Sequence, residues 1–271
     1  MRRLGVLAAA ALVLAVGANA AGDGAEVTIP DKLFAPGELD VLVGTPVTWR
    51  NADSRSHTVS SEDEFFDSGY LGPGTSFSHV FPATGAFRYL CRIHRSMRGV
   101  VRVYALILTG PPRPLPPGWA VSFRGVSPAA GAPVALERIS RGSVSVVART
   151  TAAADGTFVF TQRPTGPGRY RARGGEAVSP LVPVAVKPSV TVGVGGGRVR
   201  VETAPARPRS AVLLQSYDRD HFAWTTVAKG RLDRSSRTSL AVPVGPARLR
   251  VVVRGSSGWA DGVSRTVVLA R

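Results

Sequence analysis

Alternation of apolar and polar positions recurs along this chain at the two-residue period of a half-buried strand. It is clearest in Glu38-Leu39-Asp40-Val41-Leu42-Val43, in Thr75-Ser76-Phe77-Ser78-His79-Val80-Phe81 and in Phe87-Arg88-Tyr89-Leu90-Cys91. Phe77 is expected to point inward, with Phe81 a further candidate. Ala25 to Ile29 reads as another strand. So does Val47-Thr48-Trp49, which follows the turn Gly44-Thr45-Pro46, and Gly99-Val100-Val101-Arg102-Val103-Tyr104 closes the segment. After the first twenty residues no stretch keeps a 3.6-residue period long enough for a helix. Closely spaced strands of this kind predict an all-β sandwich or barrel.

Punctuation divides the rest. Gly110-Pro111-Pro112-Arg113-Pro114-Leu115-Pro116-Pro117-Gly118 is too rich in proline to join a sheet ladder, so residues 106–118 are expected to be a stiff linker. Beyond it runs a degenerate repeat. Val134-Ala135-Leu136-Glu137, Val146-Val147-Ala148-Arg149, Asp155-Gly156-Thr157-Phe158 and Tyr170-Arg171-Ala172-Arg173 are followed in the same order by a second set. That set is Val212-Leu213-Leu214-Gln215, Thr226-Val227-Ala228-Lys229, Asp233 with Ser235 and Ser236, and Leu249-Arg250-Val251-Val252. Two small Ig-like β-sandwich domains are expected, at 119–187 and 188–271, behind an N-terminal domain at 21–105.

Residues 1–20 read as a signal peptide. Arg2 and Arg3 precede the apolar run Leu4 to Val16, and Ala18-Asn19-Ala20 offers small residues for cleavage before Ala21. Nothing downstream reads as a second apolar span, so the mature chain is expected to be extracytoplasmic, secreted or in the cell envelope, without a transmembrane segment.

Charge is uneven. Ala21 to Tyr104 carries 8 Lys or Arg against 10 Asp or Glu, and Ala105 to Arg271 carries 24 against 8. The basic half makes an anionic cell-envelope polymer a candidate partner. Lysine stands only at Lys32, Lys187 and Lys229, and arginine fills the other basic positions, a compositional habit as much as a functional one. No aromatic–basic interleaving or nucleic-acid motif accompanies it, so nucleic acid is not expected as a partner. No Ser–His–Asp set, phosphate-binding glycine loop or HExxH motif is present.

The chemistry gathers at one place. Cys91 is the sole cysteine and Met97 the sole methionine besides Met1. They flank His94 in the spacing C-x2-H-x2-M, at the end of one strand and in the loop after it, and His57 lies upstream. A lone thiol in an oxidising compartment is a liability unless it is buried or bound. A thiolate, two imidazoles and a weak thioether make the ligand set of type 1 (blue) copper. His57, Cys91, His94 and Met97 are therefore the candidate ligands of one copper ion. His79 and His221 fit no ligand pattern and are expected to be structural or exposed. Glu62-Asp63-Glu64 reads as a solvated loop.

Ala25 to Tyr104 resembles the plastocyanin-like cupredoxins, with the short ligand loop most similar to amicyanin and pseudoazurin. The matching stretches are Val47-Thr48-Trp49-Arg50-Asn51, Ser56-His57-Thr58-Val59, Phe66-Asp67-Ser68-Gly69, Gly85 to Cys91, and His94 to Val101. The resemblance implies a Greek-key sandwich, one copper and one-electron carriage. It also implies that His57, Cys91 and His94 are the strong ligands and Met97 the axial one. Two positions depart from the family pattern. Ile93 stands where proline usually precedes the second histidine, and Thr58 stands where asparagine usually ties the two ligand loops. The Thr58 hydroxyl is the candidate replacement.

The expected function is electron carriage between redox partners, without enzymatic activity, since four protein ligands leave no open position for substrate. Arg92, Arg95 and Arg98 around His94 would favour an acidic redox partner protein. The same ligands would also serve a copper storage or delivery protein. An envelope adhesion or scaffold protein retaining only the fold is a second alternative, and a subunit of a larger oxidase or reductase, which needs a second copper centre on another chain, is a third.

Overall fold

The computed structural model describes residues 24–140, 142–242 and 245–269. The expected signal peptide therefore lies outside the described residues. Within them every regular element is a strand, and no helix is long and apolar enough to cross a membrane.

The first unit contains β1 (Ala25–Asp31), β2 (Leu33–Ala35), β3 (Glu38–Leu42), β4 (Pro46–Asn51), β5 (Ser60–Ser61), β6 (Ser76–Val80), β7 (Gly85–Leu90) and β8 (Arg98–Tyr104). They form two four-stranded sheets, β2-β1-β4-β6 and β3-β8-β7-β5. The pairs β1/β4 and β3/β8 are parallel and the others antiparallel. Each parallel pair joins strands that are not consecutive in the chain, because a parallel pair cannot be closed by a tight hairpin.

The alternation read from sequence sets the two inner faces. Val27, Ile29, Val47 and Trp49 come from one sheet, and Leu39, Val41, Tyr89, Val101 and Val103 from the other. Trp49 stands at the centre, edge-on to Tyr89 with ring centroids 5.3 Å apart. Phe77 is half-buried against this core, and Phe81, just past the end of β6, is fully buried. Gly99 faces Tyr89 across the β7/β8 ladder, and a Cβ there would lie 2.3 Å from the tyrosine ring.

The second unit contains β9 (Ile107–Thr109), β10 (Val121–Val126), β11 (Pro133–Ser140), β12 (Ser143–Thr151), β13 (Thr157–Gln162), β14 (Gly168–Gly174), β15 (Ala177–Val178) and β16 (Val182–Val184). The sheet β13-β10-β9 packs on β12-β11-β14-β15, with β16 also on β14. The third contains β17 (Ser189–Gly195), β18 (Arg198–Ala204), β19 (Ala211–Asp218), β20 (Ala223–Arg231), β21 (Arg237–Ala241), β22 (Ala247–Val253), β23 (Gly262–Val263) and β24 (Val267–Leu269). Its sheets are β17-β18-β21 and β20-β19-β22-β23, with β24 also on β22.

The repeat seen in the sequence is carried in the registers. Leu136 pairs with Ala148 and Glu137 with Val146 across a bulge, and Leu214 pairs with Ala228 and Gln215 with Thr226 across the same bulge. The Ser179 hydroxyl accepts from the Ala172 N–H and donates to the Pro180 carbonyl. The Ser264 hydroxyl does the same with Val251 and Arg265. Gly156, at φ +80°, donates its N–H to the Ala153 carbonyl, and Ser236, at φ +61°, donates to Asp233.

The expected linker at 106–118 is instead built into the second unit. Leu106, Ile107, Leu108 and Leu115 are buried, and β9 pairs with β10. The prolines follow this apolar stretch, so proline density overlooked a short strand that precedes them. The second and third units are also joined by backbone pairing. Val186 bridges in parallel to both Leu115 and Trp259.

Candidate metal centre

The loops after β4 and β7 close the same end of the first sandwich. Asn51 ends β4 and is fully buried. Its Nδ2 donates to the carbonyls of Arg55 (2.7 Å) and Leu71 (2.9 Å), and its Oδ1 accepts from the Asp53 N–H (3.0 Å). This fixes the turn leading to His57, whose backbone exchanges hydrogen bonds with Leu71 in both directions. In the other loop the Cys91 N–H donates to the Met97 carbonyl (3.1 Å) and the Met97 N–H to the His94 carbonyl (2.9 Å). The C-x2-H-x2-M segment is thereby folded back on itself.

These two loops bring together the side chains singled out by sequence. One donor atom from each of His57, Cys91 and His94 lies within 4.8 Å of the others. Cys91 Sγ is 3.8 Å from His57 Nδ1 and 3.6 Å from His94 Nδ1. His57 and Cys91 are fully buried, and Met97 is buried in the same core. His94 is only partly buried and reaches the surface.

Sequence reasoning missed Asp53. Its Oδ2 lies 2.9 Å from His57 Nε2. The hydrogen bond from His57 outweighs desolvation and holds the Asp53 carboxyl below its ordinary range. An ionised carboxylate only accepts, so Nε2 carries the imidazole proton and Nδ1 keeps its lone pair on the Cys91 side. For His94, removal from water and then the electrostatic influence of His57 and of the Lys32 and Arg55 cations push the pKa down, which favours the neutral imidazole a metal requires.

The Thr58 hydroxyl does tie the two loops. It accepts from the Arg92 N–H (2.8 Å) and from the Ser60 hydroxyl (3.1 Å), and the Thr58 N–H points at Cys91 Sγ from 3.4 Å. Asp67 Oδ1 lies equally close to Ser60 Oγ, at 3.1 Å, and Asp67 pairs with Arg92 at 3.3 Å.

The arginine rim is less basic than the sequence implied. Arg92 pairs with Asp67 and Arg98 with Glu62, one member of the expected solvated run. Only Arg95 of the three has no carboxylate partner among the described residues. Lys32 and Arg55 supply positive charge near His94 instead. His79 is structural, packed against Phe66 and Phe81 with centroids 4.9 and 4.8 Å away. His221 is exposed at a hairpin tip, paired with Asp218.

A family model described as a cupredoxin-like domain matches residues 3–103. Amicyanin-alpha of Methylorubrum extorquens is 30% identical over 118 residues, which cover 38% of this chain and 99% of that protein. The chain belongs to the cupredoxins. Among solved structures, a purple cupredoxin from Nitrosopumilus maritimus is 34% identical, covering 29% of this chain and 98% of that one with a TM-score of 0.29. A copper(I) form of an amicyanin variant is 27% identical, covering 30% and 81% with a TM-score of 0.29. The cupredoxin match thus falls on the first sandwich and its ligand loops, and the two C-terminal units lie beyond it.

The cupredoxin donor set suits copper. The soft thiolate and two imidazole nitrogens converge, and among the described residues no carboxylate joins them. Cys91 is unpaired and buried, so its sulfur is free to ligate.

Proposed function

We propose that this protein is an exported single-electron carrier whose cupredoxin unit holds one type 1 copper ion with His57, Cys91 and His94 as strong ligands and Met97 as axial ligand. The observation that carries the reading is the convergence of Cys91 Sγ with two Nδ1 atoms, His57 and Cys91 being fully buried. When bound there, copper supplies reversible one-electron chemistry. Asp53 fixes the His57 tautomer, and Thr58 holds the two loops at constant separation while its N–H faces the thiolate. Ligands held this way move little when charge changes, which suits a carrier rather than an enzyme. His94 is the exit toward a partner, because His57 is shut away from solvent. Lys32, Arg55 and Arg95 favour an acidic redox protein there.

The test is the visible and electron paramagnetic resonance spectrum of the protein loaded with Cu(II), beside Cys91→Ser. An intense thiolate-to-copper band with a narrow hyperfine splitting, absent from the variant, is expected. An ordinary tetragonal signal unaffected by Cys91→Ser would refute the assignment. Rapid loss of copper to a chelator on reduction would point to delivery instead.

A further inference from the structure

The internal repeat allows the same sheet face to be compared in two versions. In the second unit Glu137 lies between Arg171 and Arg173, each guanidinium 2.6 Å from a carboxylate oxygen. Next along that face, Ile139 pairs with Val144. In the third unit Gln215 replaces Glu137, and Val252 stands in register where Arg173 does. Tyr217 and Trp224 replace the aliphatic pair, ring centroids 5.3 Å apart.

The arginines that remain are held differently. The Arg250 guanidinium lies 4.3 Å over the Trp224 ring and donates through Nε to Gln215 Oε1 at 2.8 Å. The Arg248 guanidinium lies 5.5 Å over Tyr217. Neither has a carboxylate partner among the described residues. A neutral amide thus orients Arg250 where a carboxylate neutralises its counterpart Arg171. Stacking on a ring leaves the edge of a guanidinium free to donate. Arg248 and Arg250 are two residues apart on one strand, so their forks point the same way about 7 Å apart.

We propose that this face of β20-β19-β22 binds an acidic polysaccharide, its carboxylates taken by the forks of Arg248 and Arg250 and its sugar rings lying against Tyr217 and Trp224. The complementarity is local as well as global. Paired N–H donors match a carboxylate, and Tyr and Trp offer an apolar body with a polar tip to a pyranose ring. The same face also carries Lys229 and Arg231, across from Leu213 and Ala211, but its two stacked forks sit on aromatic rings, which suit a sugar, where a nucleic-acid backbone needs a run of phosphate contacts.

Binding of the full-length protein to immobilised polygalacturonate tests this at physiological ionic strength. Neutral dextran, poly-glutamate and duplex DNA serve as comparison surfaces. Polygalacturonate should be bound in preference to all three. Arg248→Ser with Arg250→Ser should weaken binding on the order of tenfold. Arg124→Ser with Arg149→Ser removes the same charge from exposed positions of the second unit and should cost less than about threefold. Equal losses from the two pairs would show diffuse attraction and overturn the proposal. So would equal affinity for poly-glutamate, tighter binding to DNA, or no binding at all. Should the serine pair fail to fold, Arg248→Lys with Arg250→Lys keeps the charge and removes the forks. Its affinity should fall, and wild-type affinity would refute the site.

Discussion

Replacing Asp53 by alanine separates positioning from packing at the metal centre. Asp53 accepts from the fully buried His57 Nε2 at 2.9 Å and from the Ser54 N–H at 2.6 Å. Its loss leaves a buried N–H without an acceptor, which costs about 2 kcal/mol. For a unit of this size that is a fall on the order of 10 °C in the unfolding midpoint of the metal-free form, read by calorimetry. The second consequence concerns affinity. With the carboxylate gone nothing pins the imidazole proton on Nε2, so Nδ1 is no longer reserved for metal. Loss of such an outer partner typically costs about 10- to 100-fold in metal affinity, measured by competition for Cu(I) against a chromophoric chelator. Asp53→Asn is the control, because an amide oxygen can still accept from Nε2–H. It should recover most of the stability and much of the affinity. If Asp53→Ala lowers the midpoint but leaves copper affinity unchanged, Asp53 is a packing group and the tautomer argument fails.

Other perturbations follow from the same structure. Gly99→Ala drives a methyl into the Tyr89 ring and should destabilise the first unit by about 1–3 kcal/mol in denaturant unfolding; a neutral effect would mean the β7/β8 ladder yields easily. Burial opposes ionisation of Glu137, but the hydrogen bonds from Arg173 and Arg171 prevail and hold its pKa below the ordinary 4.5. Its contribution to stability is therefore present above about pH 4.5 and lost as pH falls through the lower folded value. Glu137→Gln should flatten the acid limb of the second unit's unfolding midpoint, and an unchanged slope would place that limb elsewhere. Lys32→Glu should slow electron exchange with an acidic acceptor at low ionic strength more than Arg98→Glu, because Arg98 is already paired with Glu62. Equal stopped-flow rates would dismiss the revised rim.

The strands that face a core on one side were legible because their period is written in the sequence. β3 alternates Leu39 and Val41 inward, and β7 alternates Phe87 and Tyr89 against Ala86 and Arg88. β5 was not legible, since two serines carry no period. The strand at Ile107 was hidden by the prolines after it. Ligand candidates were legible because rare residue types met at one spacing. Asp53 was not, because Asn51-Ala52-Asp53-Ser54 reads as an ordinary turn and only the fold aims its carboxylate at His57. Lys32 lies far from His94 in the chain, and topology alone brings its charge close.

The polarity of β8 has a consequence for access. The strand starts beside the ligand loop at Arg98 and runs seven residues to Tyr104, and the next core begins at Leu106. At about 3.3 Å per residue, the attachment point lies on the order of 20 Å from the metal end. The connection itself, Tyr104 and Ala105, extends no more than about 7 Å. The C-terminal units are thus moored to the pole of the sandwich opposite His94. The connecting segment is thereby kept away from the surface where His94 emerges.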